Sequence, residues 1–491
     1  MGRDVPAITV SQQDRRRYRQ KVRQCLDVFA RMLREARFET EAQVGLEVEL
    51  NLVDKSGAPS MSSSDVLEAI ADPNWASELG RFNLEINLPP RSLAGAAFGE
   101  MEDHMLDSVA HADQRAHDVG SRLAMIGILP SLQEGDVSKD SMSSNPRYRL
   151  LNEQIFAARG EDARISIDGP EQLLTHVDNI MPEAACTSVQ CHLQVSPEAF
   201  SSYWNAAQAI AGIQVALGAN SPYLFGRELW RETRITLFQQ ATDTRPEELQ
   251  AQGVRPRVWF GERWITSVFD LFEENIRYFP ALLPLCGEQD PLAELQAGGI
   301  PELPELTLHN GTVYRWNRPV YAVVDGKPHL RVENRVLPAG PTAADITANA
   351  AFYYGLAHSL AQAQRPIWTQ MSFAAAEENL VEAARHGIDA SLYWPGLGVV
   401  PATELTLRRL LPLAHEGLNN CGVDSRLADR YLGIIEDRCL AARNGATWQA
   451  DTVHLLERGG SLDRYDALRE MTQRYIEHMH TNEPVHTWPA G

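Results

Sequence analysis

Acidic and amide side chains alternate with aliphatic ones in four short stretches of the chain, VGLEVELNLVD, RFNLEINL, SVQCHLQV and LRVENRV. Successive side chains of a β-strand point to opposite faces, so each stretch predicts a strand with one apolar and one polar face. The polar faces carry, in chain order, Glu47, Glu49, Glu85, His192 and Glu333. Adjoining strands of this kind would form a sheet with a carboxylate-lined face.

A carboxylate-lined face is suited to divalent metal ions, because hard cations such as Mg²⁺ prefer oxygen ligands. Glu47 and Glu49 lie about 6.6 Å apart along one strand, so each could hold a metal at a neighbouring position. Carboxylates grouped in this way repel one another and need a counter-charge, which metal ions or nearby arginines can supply. For a single strand, a solvent-exposed face with ordinary ion pairs is the simpler interpretation. The repetition over four strands favours a metal site.

Arginines are grouped after the Asn220-Ser221-Pro222 turn and around a predicted hairpin. They are Arg227, Arg231 and Arg234 in the first group, and Arg315, Arg318, Arg331 and Arg335 in the second. A guanidinium pairs bidentately with carboxylate or phosphate, and phosphoryl transfer needs cations to spread the charge of the transferring oxygens. The sequence has neither a P-loop nor a GxGxxG motif, so nucleotide binding by those folds is unsupported.

Composition excludes several classes of function. The chain has 491 residues, a formal net charge of -20 and a pI near 5.2, which argue against binding to a phosphate backbone. No apolar stretch approaches the roughly 20 residues that span a bilayer, and the first residues lack a secretory apolar core. Six cysteines without a CxxC pair indicate reduced thiols, so we expect a cytoplasmic protein.

The order of the predicted elements indicates an antiparallel α+β fold, because strands and helices mix without regular βαβ alternation. Ser11 and Asp14 predict the start of a helix, a second helix is expected over roughly 98–124, and Asp325-Gly326 predicts a hairpin. Polar segments at 131–148 and 239–263 predict loops, the first a candidate lid. We expect an N-terminal helix and tail at 1–40, a catalytic domain at 41–390 and a helical C-terminal extension at 391–491 packed on it.

A resemblance to a known family rests on GLEVEL, FNLEINLPP, SVQCHLQV, GANSP followed by RETR, HNGTVYRWNRP and RVENR. Over roughly residues 40–390 the chain resembles the glutamate-cysteine ligase family, in its type 2 carboxylate-amine ligase branch. The resemblance implies a glutamine-synthetase-like antiparallel sheet whose concave face binds ATP and Mg²⁺. It also implies that ATP phosphorylates a carboxylate, usually glutamate, and that an amine, usually cysteine, attacks the acyl phosphate.

The resemblance also assigns roles to individual residues. The implied metal ligands are Glu47, Glu49, Glu85, His192 and Glu333. The implied ATP-binding residues are Arg315, Arg318, Arg331 and Arg335. The implied substrate-binding residues are Asn220, Ser221, Arg231 and Arg234, and Arg234 and Arg335 are the implied catalytic residues.

The implied partners are small molecules, and a homodimer is one expectation for the assembly. Two other functions stay open at this point. In a metallohydrolase, His192 and the carboxylates would hold a metal-activated water. A non-catalytic relative would bind a nucleotide or an amino acid as a sensor.

Overall fold

The computed structural model describes residues 11–458 and 462–489, so the predicted tail before Ser11 lies outside the described residues. The strands are β1 Gln43–Val53, β2 Trp75–Ser77, β3 Asn83–Ser92, β4 Arg122–Ala124, β5 Ala163–Asp168, β6 Gln172–Val177, β7 Ser188–Val195, β8 Tyr223–Leu224, β9 Arg227–Glu228, β10 Val258–Trp259, β11 Tyr314–Arg315, β12 Asn317–Val324, β13 Lys327–Pro338, β14 Ser391–Trp394 and β15 Gly398–Pro401. The helices are α1 Gln12–Glu35, α2 Ser63–Ile70, α3 Ala97–Asp118, α4 Pro146–Arg159, α5 Phe200–Ala209, α6 Ala211–Gly218, α7 Thr233–Ala241, α8 Glu247–Ala251, α9 Val268–Tyr278, α10 Pro291–Gln296, α11 Pro304–Asn310, α12 Ala343–Ala361, α13 Phe373–His386, α14 Ala402–Leu405, α15 Leu411–Asn420, α16 Ser425–Ala441, α17 Gly445–Arg458 and α18 Arg464–Thr481.

A seven-stranded antiparallel sheet forms the centre of the molecule. Its strand order is β12-β13-β7-β1-β3-β2, and β4 pairs with the end of β1. The four stretches with alternating side chains fall on β13, β7, β1 and β3, which are consecutive neighbours in this order. The predicted α+β class is therefore confirmed, and so is the expectation that these strands adjoin.

The aliphatic face of the sheet lies in the hydrophobic core. Val44, Leu46, Val48 and Leu50 of β1 are all buried on this face, where helices α5, α6 and α12 pack. Tyr354 of α12 donates a hydrogen bond to two backbone carbonyls of the sheet, at 3.0 and 3.1 Å. The buried helices thus fix one face of the sheet and leave the polar face for a cavity.

Local sequence signals set the ends of several elements. Ser11 Oγ accepts a hydrogen bond from the Asp14 N–H at 3.1 Å, and the Asp14 carboxylate accepts one from the Ser11 N–H, which starts α1. Asp325 and Gly326 join β12 to β13 with φ values of 50° and 73°. A two-residue hairpin turn with positive φ at both central residues has a backbone twist that matches the twist of the two strands it joins.

The predicted end of the second helix is wrong for a local reason, whereas the two polar segments are largely irregular, as expected. The helix expected to continue to 124 ends at Asp118, because Gly120 has a φ of 84° and residues 122–124 then pair with β1. The segment 131–148 contains two short 3-10 turns and the start of α4, and the segment 239–263 contains α8 and β10. Beyond 390 the chain first forms the β14–β15 hairpin, and α15 and α16 then pack on α12.

Two further features concern the whole described chain. All six cysteines are free thiols. Within residues 11–458 and 462–489, no helix has both the length and the apolar character that crossing a bilayer requires.

Candidate active site

The polar face of the sheet forms the floor of a cavity of about 490 Å³. Residues of α4 and α11 line its walls. The charged residues that line the cavity are Glu47, Glu49, Glu78, Glu85, Arg147, Glu183, Arg318, Arg331, Glu333 and Arg335. The period-two pattern of the four strands therefore brings the predicted carboxylates together in one cavity.

Three carboxylates at one end of the cavity form a cluster. One oxygen each of Glu49, Glu78 and Glu85 lies within 4.8 Å of the other two. Glu49 and Glu85 face each other across the β1–β3 pair, and Glu78 follows the short strand β2, whose Ala76 pairs with Glu85. The sheet register, together with the path of the chain after β2, thus brings the three carboxylates together.

Among the described residues, no lysine, arginine or histidine forms an ion pair with the three carboxylates of the cluster. Burial, together with the neighbouring charges of Glu47 and Glu49, raises the pKa of Glu85 to about 7. Burial and the charges of Glu85 and Glu49 raise the pKa of Glu78 well above its ordinary range. The pKa of Glu49 is also raised by burial, although Arg335 and the Ser188 N–H, 2.6 Å away, oppose the shift. Carboxylates that repel one another in this way would be neutralised by a hard divalent cation, which prefers oxygen ligands.

Glu47 and His192 lie beside this cluster. His192 Nε2 is 3.1 Å from Glu47 Oε1, but neither ring nitrogen makes an aligned hydrogen bond within the described residues. Burial alone would raise the pKa of Glu47, but its interaction with His192 outweighs burial and lowers the pKa to about 2. A neutral imidazole nitrogen is a common metal ligand, but His192 itself does not line the cavity.

Glu333 is held between two guanidinium groups on the other side of His192, with which it pairs across β13 and β7. Its two oxygens lie 2.9 Å from Arg318 Nη2 and 2.7 Å from Arg335 Nη1. Burial would raise the pKa of Glu333, but these two charges hold it well below its ordinary range. Glu333 therefore stays ionised. The guanidinium of Arg335 is held in place by Glu333 and by Gln190, to which it also donates a hydrogen bond.

A β-bulge sets the direction of Arg335. Between Asn334 and Leu337 two residues of β13 oppose one residue of β7, which leaves backbone carbonyls of β13 without partners in the sheet. Arg234 of α7 donates to the carbonyls of Arg335 and Val336, while its Nε lies 3.2 Å from the buried Glu232. Arg234 is 2% exposed and does not line the cavity. In this structure it holds the backbone of β13 beside Arg335 and does not face the cavity in which a substrate would bind.

Arg331 and Arg318 offer unpaired hydrogen-bond donors. The Nε–H of each is buried without an acceptor among the described residues, and Arg331 makes no ion pair there. Both side chains line the cavity. Because buried guanidinium donors need acceptors, an anion such as a phosphate group fits this end of the cavity.

Four residues expected at the site lie elsewhere. Arg315 is buried against Glu274, at 2.9 Å, and its guanidinium lies over the Trp259 ring. Asn220 and Ser221 are fully buried, where they form hydrogen bonds with Tyr475 and Glu232 respectively. Arg231 pairs with Glu228 at 3.3 Å. None of the four lines the cavity, so we do not assign them direct contacts with ATP or substrate.

Two cavity carboxylates were not anticipated from the sequence. Glu78 follows a strand of three residues, which is too short to display a period of two, and Glu183 lies in a 3-10 turn at Met181–Ala185. Neither position carries a local signal. Glu78 could be found only by placing β2 beside β3 and counting along the register.

Comparison with known proteins identifies the family. The profile of glutamate-cysteine ligase family 2 matches residues 43–465, well beyond the limit of 390 expected from the motifs. No curated protein sequence matches the chain.

Similar solved structures include a glutamate-cysteine ligase from Francisella tularensis in complex with AMP. It is 11% identical, with 90% of each chain covered and a TM-score of 0.54. A bifunctional glutathione synthetase from Pasteurella multocida is 13% identical over 93% of this chain and 54% of its own, with a TM-score of 0.47. The first of these similarities confirms the expected glutamine-synthetase-like fold. The chain belongs to glutamate-cysteine ligase family 2 and is a carboxylate-amine ligase by family.

Proposed function

We propose that the protein is an ATP- and Mg²⁺-dependent cytoplasmic ligase that joins the carboxyl group of glutamate, or of a close analogue, to an amine such as cysteine. One observation carries this proposal: a single cavity holds a carboxylate cluster that no cation of the described residues pairs with, together with two arginines whose Nε–H groups have no acceptor there. Family membership favours the ligase over the metallohydrolase, and a sensor would have no need for so many carboxylates grouped in one cavity.

The proposed reaction has two steps. A carboxylate oxygen of the substrate attacks the γ-phosphorus of ATP, and ADP leaves. The amine nitrogen then attacks the acyl carbon, loses a proton, and phosphate leaves. Both steps develop charge on phosphoryl oxygens, so positioned cations are the main contribution that a protein can make.

The residues divide between metal and phosphate. Glu49, Glu78 and Glu85 would hold Mg²⁺, and the neighbouring Glu47, His192 and Glu333 would complete the metal-binding residues. Bound Mg²⁺ would neutralise phosphate oxygens. Arg318 and Arg331 would donate hydrogen bonds to the ATP phosphates, and Arg335, fixed by Glu333 and Gln190, would meet the charge that develops on the transferring group.

The direct test is ADP release by the purified protein. We expect release that depends on ATP, Mg²⁺ and L-glutamate, and that L-cysteine stimulates in a panel with L-alanine and ethylamine. Hydroxylamine added without another amine should trap the acyl phosphate as a hydroxamate. Absence of carboxylate-dependent ADP release and of hydroxamate with every combination would refute the proposal.

A further inference from the structure

A buried polar network connects the C-terminal helices to the bulge that carries Arg335. It begins at Asn220, whose side chain donates hydrogen bonds to Tyr475 of α18 at 2.8 Å and to the Ala339 carbonyl at 2.7 Å. Gln449 of α17 donates to the side-chain oxygen of Asn220 at 2.8 Å. Asn220, Gln449 and Tyr475 are all fully buried. The two helices therefore fix the turn at Asn220.

Glu232 makes the next contacts of the network. One oxygen of its carboxylate accepts a hydrogen bond from the Asn220 N–H at 2.8 Å. The other accepts one from Ser221 Oγ at 2.6 Å and one from Arg234 Nε at 3.2 Å. Glu232 is fully buried, and Arg234 is its one ion-pair partner among the described residues. Because a buried charge without a partner is costly, loss of either side chain would release the other from its place.

Arg234 extends the network to the bulge of β13. Its guanidinium donates to the carbonyl of Arg335 at 3.4 Å and to the carbonyl of Val336. These are the two residues of the bulge, where the pairing with β7 is interrupted. On the side of β12, the Arg335 N–H donates to the Trp316 carbonyl at 2.9 Å. A side chain from outside the sheet thus holds the backbone from which Arg335 reaches the cavity.

We propose that Glu232 is a positioning residue for Arg335, and that α17 and α18 act on the cavity through it. Glu232 does not line the cavity. Its carboxylate holds Arg234, and Arg234 holds the backbone of Arg335. A displacement of about 1 Å at a catalytic group costs as much as about 100-fold in rate. The inference rests on the proposed role of Arg335 in the ligase reaction, and it gives the C-terminal helices a part in catalysis.

The main test is a double-mutant cycle on kcat. Glu232→Gln keeps the size of the side chain but removes the charge that holds Arg234. We expect kcat for ADP release to fall about tenfold, with KM for ATP and for L-glutamate changed by less than about twofold. Arg335→Lys lacks the positioned guanidinium, so adding Glu232→Gln to it should lower kcat no further. Residues that act as a unit give such non-additive effects.

Glu102→Gln is the matched control, because it also removes a buried carboxylate from an ion pair. Glu102 is 2% exposed and lies 2.9 Å from Arg430 of α16. Its other hydrogen-bond partners, Tyr431 and Asn482, lie outside the network. We expect its Tm to fall while kcat stays at the wild-type value, both alone and combined with Arg335→Lys.

Gln449→Met tests the connection to the C-terminal helices, and it serves if Glu232→Gln does not fold. It removes the hydrogen bonds that α17 donates to Asn220 and keeps the buried ion pair of Glu232 intact. The fall in kcat should be smaller, about threefold. It should also disappear in the Arg335→Lys background.

Three kinetic results would overturn the inference. Additive effects of Glu232→Gln and Arg335→Lys on kcat would show that the two residues act independently. A lower Tm of Glu232→Gln with unchanged kcat would leave Glu232 a purely structural residue. A higher KM with unchanged kcat would mean that Glu232 affects substrate binding instead.

Amide hydrogen exchange tests the network even if the protein turns out not to be a ligase. Residues 334–337 should exchange at least about threefold faster in Glu232→Gln and in Gln449→Met than in wild type or Glu102→Gln, because local opening of the bulge becomes easier. Unchanged exchange in this segment of Glu232→Gln would refute the positioning role. Lack of carboxylate-dependent ADP release by wild type, with faster exchange in the variants, would refute only the proposed function.

Discussion

Replacing Glu85 by glutamine should stabilise the metal-free protein while weakening its response to Mg²⁺. The side chain is 3% exposed, and glutamine keeps its shape while removing one charge from the cluster with Glu49 and Glu78. Raising the pKa from 4.5 to about 7 corresponds to roughly 3 kcal/mol of lost stability once the carboxylate is ionised. Because folding raises this pKa, the cost is absent below the ordinary pKa and is complete above the folded one.

The expected magnitude can be measured by thermal unfolding in EDTA. With an unfolding entropy of about 2 cal/mol/K per residue, 3 kcal/mol corresponds to a rise in Tm of about 3 °C at about pH 8. The rise should shrink as the pH falls from about 7 and should vanish only below the ordinary pKa of 4.5, where the side chain is protonated in both the folded and the unfolded protein. Saturating Mg²⁺ should reverse the order, because wild type gains more from binding the ion.

The exposed Glu68 on α2 provides the matched control, since Glu68→Gln removes the same charge from the surface. Its Tm should follow wild type with EDTA and with Mg²⁺. The reasoning is wrong if the Tm difference between Glu85→Gln and wild type in EDTA is the same at high and at low pH. It is also wrong if Mg²⁺ raises the Tm of Glu85→Gln as much as that of wild type. Either outcome would mean that the cluster is compensated by the protein itself.

Three further predictions concern residues around the cavity and in the core. Arg335→Lys keeps the charge but loses the fixed guanidinium, so kcat for ADP release should fall about 100-fold with little change in Tm; an equal loss of both would point to a structural role. Arg234→Met leaves the buried Glu232 unpaired and should cost about 3 kcal/mol in urea unfolding, whereas loss of activity at unchanged stability would make Arg234 a substrate contact. Burial lowers the pKa of His309 to about 4. The stability that the neutral side chain contributes is therefore complete above the ordinary pKa of 6.5 and is lost as the pH falls toward 4. The Tm of His309→Asn should vary less with pH over this interval than the Tm of wild type, and an equal pH dependence of the two proteins would contradict this.

The four strand faces could be predicted because their signal is local. Alternation within eight to twelve residues decides which side chains share a face. Because the aliphatic face is buried against helices, the polar side chains must lie on the opposite face. Glu78 and Glu183 were missed because they follow or interrupt regular structure. Their position depends on register and on the path of a turn, which a period of two does not encode.

For the arginines, the sequence does not predict which side chains reach the cavity. Arg315 and Arg318 lie three residues apart, yet Arg315 pairs with Glu274 in the core and Arg318 points into the cavity. A guanidinium suits a buried carboxylate as well as a phosphate, so residue type alone cannot separate the two. Asn220 is similar, since the partner that buries it, Tyr475, is 255 residues away along the chain.

The bulge in β13 affects how the length of this strand can change during evolution or engineering. Two residues oppose Gln190 there, so deletion of Val336 would restore one-to-one pairing and keep Leu337 opposite Val189. Deletion at Arg331 or Val332 would instead turn every following side chain to the other face of the sheet. Length variation in β13 should therefore be confined to the bulge, with Arg335 as its fixed boundary.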